Sequence, residues 1–151
     1  MILEFSHRVP ASRAAVFAFH TSPANLSLLL DGWAGFELLE HGEKTEVGCI
    51  TTVQQRFFGI LPIVSAFEHT EYSPPERFAE KALRGPFQNF HHVHEFEEDG
   101  AATIVRDKLD VRLRWFLGGE PMTRLFVGPF FARFFAFRHA SLDRLHSEGA
   151  L

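Results

Sequence analysis

Cysteine is almost absent. Cys49 stands alone in 151 residues, so no internal disulfide framework can form and the small secreted disulfide scaffolds are excluded. Tyrosine is equally scarce, one residue against 18 phenylalanines and two tryptophans, so nearly all the large rings lack a polar handle. Neither sign of charge prevails: 15 Lys and Arg face 19 Asp and Glu for a net charge of -4. Without a basic excess, nucleic acid is not expected as a partner. There is no long uncharged apolar run. The most apolar stretch, 122–137, is interrupted by Arg124, Gly128, Pro129 and Arg133 and is shorter than the roughly 20 residues a membrane helix needs, so no integral membrane segment is expected. Met1-Ile2-Leu3-Glu4-Phe5 lacks the basic, apolar and small-residue order of a signal peptide, and a cytoplasmic location is the expectation. Nucleophile elbow, phosphate-binding loop, dinucleotide fingerprint, zincin motif and cysteine pair are all missing, which leaves hydrolase, kinase and dehydrogenase readings without support.

What is there reads as one domain over 1–151, since the composition is 46% hydrophobic and 23% charged and no linker, repeat or low-complexity segment divides it. Leu3, Phe5 and His7 alternate with Glu4, Ser6 and Arg8 up to Pro10, giving a first strand. Ser12 offers a cap to a short helix holding Ala14, Ala15, Phe17 and Ala18, and a second short helix runs from Ala24 to Leu30. From Gly35 the apolar period becomes two. Strands are predicted at 36–40, 47–58, 63–71, 77–84, 88–97 and 102–115, separated by turn residues such as Gly85-Pro86 and Glu98-Asp99-Gly100. A long helix follows from Pro129 to about His146. Its phenylalanines fall in two helical series, Phe130, Phe134, Phe137 and Phe131, Phe135, Leu142, so it must be covered on two sides. The order describes an α+β fold in which a curved antiparallel sheet of about seven strands wraps a C-terminal helix, with room for a cavity between them.

Several strings resemble the START/SRPBCC helix-grip superfamily, in particular its polyketide cyclase-like, ligand-binding bacterial branch. They are Ser22-Pro23-Ala24-Asn25-Leu26 with Trp33 and Phe36, then Phe58-Gly59-Ile60, then Tyr72-Ser73-Pro74-Pro75-Glu76-Arg77-Phe78, and most specifically Gly85-Pro86-Phe87 followed by Phe90, His92, His94 and Phe96. Asp107 and Phe135-Ala136-Phe137-Arg138-His139 continue the pattern. The chain departs from it at Leu30-Asp31-Gly32, where prolines are usual, and at Val64 and Phe90, where tryptophan is usual. The resemblance implies a helix-grip fold whose deep cavity binds an apolar or amphipathic small molecule such as a lipid, a polyketide or an aromatic compound. It also places Trp33 near the cavity mouth. Members of the superfamily include carriers, cyclases and adaptors, so the resemblance implies no single activity.

Phe90, His92, His94 and Phe96 point to one face of their strand, His91, Val93 and Glu95 to the other. Asp107 shares a face with Val105, Leu109, Val111 and Leu113 on the next strand. An inward His–His–Asp patch would put polar groups at one place in a phenylalanine-lined cavity. Trp33, Phe67, Phe90, His92, His94, Asp107, Phe130 and Phe134 are thus the candidate ligand-binding residues. Three readings of the histidines stay open: structural groups satisfied by Asp107 or backbone, anchors for a ligand carbonyl, hydroxyl or carboxylate, or metal ligands with Asp107 or Glu80 as third partner. We expect neither metal nor cofactor. Binding or carriage of a small molecule leads; a cofactor-independent cyclase, dehydratase or isomerase with His92, His94 and Asp107 as catalytic groups is the enzyme alternative; a protein-interaction module is the third, and a homodimer is allowed. Arg106, Lys108, Arg112 and Arg114 alternate on the opposite face of the Asp107 strand, as a solvated face or, in the minor reading, one for an anionic partner or membrane surface.

Overall fold

The structure is a computed structural model and describes residues 1–151. Strand β1 (Ile2–Val9) leads through helices α1 (Arg13–His20) and α2 (Asn25–Leu29) into strands β2 (Phe36–Glu40), β3 (Ile50–Phe57), β4 (Leu61–Ser73), β5 (Arg77–Arg84), β6 (Phe87–Asp99) and β7 (Ala102–Leu113). A 3-10 turn (Trp115–Leu117), the short helix α3 (Gly119–Met122) and a π-helical turn (Thr123–Val127) then feed α4 (Gly128–Ser147). The seven strands form one antiparallel sheet in the order β1-β7-β6-β5-β4-β3-β2. Each neighbour in the chain from β2 to β7 pairs by a hairpin, and β1 closes on β7. The sheet curls around α4 as in the helix-grip fold.

Local chemistry explains most of the boundaries. Ser12 caps α1, its hydroxyl accepting from the Ala15 N–H at 3.3 Å. Pro129 occupies the first turn of α4, directly after the π-helical turn, with its fixed φ already suited to the helix. Two predicted strands are shorter than the apolar period suggested. β3 begins at Ile50 rather than Val47 because Gly48, with φ of +91°, breaks the extended backbone. β7 stops at Leu113 rather than Trp115. Its partner there is Phe87, the first residue of β6, and beyond it a single bond, from the Arg114 N–H to the Pro86 carbonyl at 3.1 Å, ends the ladder at the Gly85-Pro86 turn.

The interior consists of two apolar clusters. One joins α1, α2 and the end of α4 to the sheet through Val16, Phe17, Phe78, Phe96, Val105 and Leu142; the other packs Phe90, Leu109, Val111 and Val127 against Phe131 and Phe135 of α4. Phe131, Phe135, Leu142 and Leu145 form the buried stripe of α4. The second series, Phe130, Phe134 and Phe137, packs instead on Trp33, at centroid distances of 5.3–6.0 Å. Covering both sides of α4 therefore takes the sheet and the α2–β2 loop together.

Phe135 is 1% exposed and stacks on Phe5 at 4.3 Å, whereas Phe130 is half-buried. Phe135→Ala is expected to cost about 3–5 kcal/mol of stability, the range for a large buried ring, and Phe130→Ala markedly less. Urea denaturation of the two variants measures the difference; equal losses would mean that the ring on the sheet side does not seat the helix.

Candidate functional site

Between the two apolar clusters lies a buried polar layer. On β6 it occupies His92 and His94, between Phe90 and Phe96; on β7 it occupies Asp107, between Leu109 and Val105; on α4 it occupies Arg138, between Phe135 and Leu142. Strand register assembles it. His94 pairs with Asp107 across β6–β7, His92 with Glu80 across β5–β6, and Glu80 with His69 across β4–β5.

Asp107 Oδ1 is the hub. His92 Nε2 donates to it at 2.9 Å and Arg138 Nη1 reaches it at 3.5 Å. His94 Nδ1 lies 2.8 Å away, but too far off axis for a good hydrogen bond. His92 Nδ1 faces Glu80 Oε1 at 3.3 Å, so both ring nitrogens of His92 point at carboxylates. Phe78 stacks on His94 at 4.2 Å, and the two imidazoles lie 3.8 Å apart.

The charges balance. Burial would raise the pKa of Asp107, but the Arg138 guanidinium and the two imidazoles hold it well below the ordinary carboxylate range. Burial likewise acts against ionised Glu80, and the His92 hydrogen bond overcomes it, leaving Glu80 at about 2. For His92 burial opposes the proton, yet the bonds to Asp107 and Glu80 raise its pKa. Two carboxylates thus face an imidazolium and a guanidinium. His94 is the uncharged member: burial first, then the neighbouring His92 charge, push it down to about 3. His20 of α1 falls to about 4 through burial and the Arg138 charge. Its Nδ1 donates to the Val16 carbonyl at 2.8 Å, which leaves Nε2 as a buried lone pair without a partner.

Two chambers meet at this layer. The larger, about 160 Å3, lies between the concave face of β3–β6 and α4, walled by phenylalanines including Phe57, Phe67, Phe87, Phe90, Phe130 and Phe134. The smaller, about 70 Å3, lies toward α1 and α2 and is more polar, with His20, His69, Asn25 and Thr45 in its wall. Leu26, Thr51, Glu80, His94 and Arg138 border both.

Of the candidate residues, Phe67, Phe90, His92, His94, Phe130 and Phe134 line the larger chamber. Asp107, 1% exposed, sits behind His92 and His94 and orients His92 through its hydrogen bond. Trp33 lies outside the lining, backing Phe130 and Phe134 while its indole N–H donates to Gln55 Oε1 at 3.0 Å. Sequence reasoning passed over Arg138, His20 and His69. Arg138 carried a signal, as the one charge on the Phe131–Phe135–Leu142 stripe; the other two lie on separate elements that only the tertiary fold brings to one chamber. Ligand atoms of Glu80, His92 and His94 fall within 4.8 Å of one another, so the donor types for a divalent cation are present. A cation there would have to displace the His92 proton beside the positive charge of Arg138.

The outer face of β7 divides. Arg106 pairs with Glu97 at 2.8 Å and Lys108 with Glu95 at 2.9 Å, as a solvated face should; Arg112 and Arg114 are exposed at the end of the strand.

The fold is the helix-grip fold, with two adjoining pockets between sheet and helices. Over residues 8–146 the chain matches the model of a domain of unknown function, DUF8410, and it belongs to that family. No curated protein matches it. Among solved structures it is similar to TTHA0849 from Thermus thermophilus (17% identity, TM-score 0.74, covering 95% of both chains). It is also similar to Ara h 8.0201 (10% identity, TM-score 0.71, 97% of this chain and 98% of that one). A third is norcoclaurine synthase from Thalictrum flavum in complex with dopamine and hydroxybenzaldehyde (11% identity, TM-score 0.69, 98% of this chain and 87% of that one). At these identities the likeness is one of fold. No helix of the chain is long and apolar enough to cross a membrane.

The protonation pattern predicts a pH profile. His20, His94 and His139 have folded pKa values of about 4, 3 and 4 against 6.5 unfolded. Below pH 6.5 the unfolded chain therefore binds protons that the folded chain refuses, and each such group removes stability at up to about 1.4 kcal/mol per pH unit. His92 works oppositely: its raised pKa contributes fully below 6.5 and its contribution is lost as pH rises through the folded value. Glu80 adds a further loss between about 4.5 and 2. Thermal melts from pH 7 to 4.5 should show a steady fall that is shallower in His20→Leu; a profile flat to pH 4.5 would contradict the neutral, buried histidines.

Proposed function

We propose that residues 1–151 form a single START-like (SRPBCC) domain, of the polyketide cyclase-like branch, that binds or carries an amphipathic small molecule. The apolar body of the ligand lies among the phenylalanines, and its polar head meets the layer of Glu80, His94 and Arg138. The observation that carries this reading is the meeting of an apolar chamber with a polar one at those shared residues. Its volume bounds the ligand. A dry cavity of about 150 Å3 accommodates a benzene ring, so the larger chamber, about 160 Å3, suits one aromatic ring or a short aliphatic chain. Dopamine and hydroxybenzaldehyde, held by the norcoclaurine synthase neighbour, are one-ring molecules of this kind.

The charge pattern favours binding over acid–base catalysis. A cyclase, dehydratase or isomerase with His92 or His94 as base needs an imidazole whose pKa lies near the working pH. Both nitrogens of His92 are engaged by carboxylates, which raise its pKa, and His94 at about 3 is a weak base. The same geometry divides the roles of the two residues in the hub. Asp107→Ala would leave Arg138 a buried charge without its carboxylate and His92 with Glu80 alone, so its loss, about 3–5 kcal/mol, falls on stability.

Toluene and p-cresol test the reading, with Trp33 fluorescence as the reporter, since Trp33 backs Phe130 and Phe134. Both should bind, p-cresol more tightly. His94→Leu should weaken p-cresol roughly three- to tenfold, the worth of one neutral hydrogen bond, and leave toluene unchanged. Native mass spectrometry of the freshly purified protein should show a co-purifying small molecule. The proposal fails if neither compound perturbs the protein at millimolar concentration and no adduct is seen.

A further inference from the structure

Because the strands alternate in direction, the β3–β4 turn, the β5–β6 turn and the segment after β7 lie at one end of the sheet. That end exposes several large apolar side chains. Phe58 is 86% exposed, Ile60 81% and Trp115 80%, Phe116 is exposed next to Trp115, and Leu125 and Phe126 are exposed in the π-helical turn that follows. Single exposed apolar side chains are ordinary, but clusters mark interaction surfaces. Nor are these a frayed segment folded loosely outward. Thr123, fully buried, accepts from the Leu113 N–H at 2.9 Å and donates to the Gly119 carbonyl at 2.7 Å. The backbone between β7 and α4 is thereby tied down with its aromatic side chains facing water.

Four of the six exposed cations without a carboxylate partner lie at this end, the other two being Lys44 in the β2–β3 loop and Arg133 of α4. In the opposite half, Arg8, Arg13, Arg77 and Arg106 each lie within 3.1 Å of a carboxylate. Arg56, Arg84, Arg112 and Arg114 are exposed, and none lies within ion-pair distance of a carboxylate. The acids nearby are engaged: Glu120 with Arg124 at 3.1 Å, and Asp110 with the Asn89 amide at 2.8 Å. A protein of net charge -4 thus carries free positive charge where it carries exposed rings.

We propose that this end docks on the surface of an anionic lipid bilayer. Trp115, Phe116, Phe58 and Ile60 enter the headgroup region, and the arginines meet lipid phosphates, whose geometry the guanidinium fork suits. Charge alone would also fit nucleic acid, but the most exposed side chains, Phe58, Ile60 and Trp115, gain little from a phosphate backbone and much from an acyl boundary. The position connects docking to the cavity. Phe57, Phe87 and Phe130, which line the larger chamber, stand beside Phe58, the β5–β6 turn and the π-helical turn, so an apolar molecule could pass between bilayer and cavity without crossing water. Docking itself does not rest on the ligand reading.

Flotation with vesicles of phosphatidylcholine alone, and of phosphatidylcholine mixed with phosphatidylglycerol, tests it. The wild-type chain should float with the mixed vesicles only, with a blue shift of Trp115 emission, and the effect should weaken with salt. Each arginine near an anionic surface contributes about fivefold in partitioning, so the double variant Arg56→Glu/Arg84→Glu should lose more than tenfold. Trp115→Ser/Phe116→Ser should lose at least as much. Both variants should melt as the wild type does and bind p-cresol unchanged, which separates failure of docking from failure of the cavity reading. The proposal is overturned if the wild-type chain does not float, if flotation ignores both variants, or if sedimentation shows a dimer that Trp115→Ser/Phe116→Ser dissolves while no vesicle is bound.

Discussion

The buried layer of Glu80, His92, Asp107 and Arg138 is the constraint around which the rest is arranged. It crosses β5, β6, β7 and α4 at one level and separates two apolar clusters that would otherwise merge into one core. Burying four charges is costly, and well-packed hydrophobic residues could fill the same volume at no loss of stability. What the layer supplies is position. Arg138 can reach Asp107 from only one register of α4 on the sheet, and His92 can meet two carboxylates only if β5, β6 and β7 pair in the observed order.

The interior is not filled on the N-terminal side of this layer, where the larger chamber lies between the phenylalanines of α4 and the concave face of the sheet, with Phe130 meeting Phe57 of β3 at 5.1 Å along its edge. Trp33, bonded to Gln55, closes the far side of those rings. The cavity is therefore bounded by a rigid polar floor, an aromatic wall and a loop, with the smaller chamber on the other side of the floor. The apolar wall and the polar floor come from one arrangement.

The molecule is divided along the same axis on its surface. Toward α1 and the β6–β7 turn, exposed cations are matched by carboxylates across strands. Toward the β3–β4 turn they are unmatched and interspersed with exposed rings. A net charge averages over these halves and conceals the difference, so the composition that argues against a nucleic-acid partner says nothing about a local cationic end.

The sequence by itself determined the element order, the strand alternation and the inward direction of Phe90, His92, His94, Phe96 and Asp107, because those follow from periods of 2 and 3.6 that each element carries within itself. The helix caps and the Gly85-Pro86 turn were legible for the same reason: they are local. Where strands end was less so. Trp115 continues the β7 pattern, but a strand ends where its neighbour does, and that is a property of the pair. The roles within the site were decided by tertiary structure alone. Nothing in the spacing of Asp107 says that it lies behind the histidines instead of in the cavity, or that Trp33 backs the cavity phenylalanines without lining the chamber. Nothing in the positions of His20, His69 and Arg138 says that they converge. Protonation belongs to the same class, since a histidine is cationic at position 92 and neutral at position 94 only through the charges that four separate elements bring within a few ångströms.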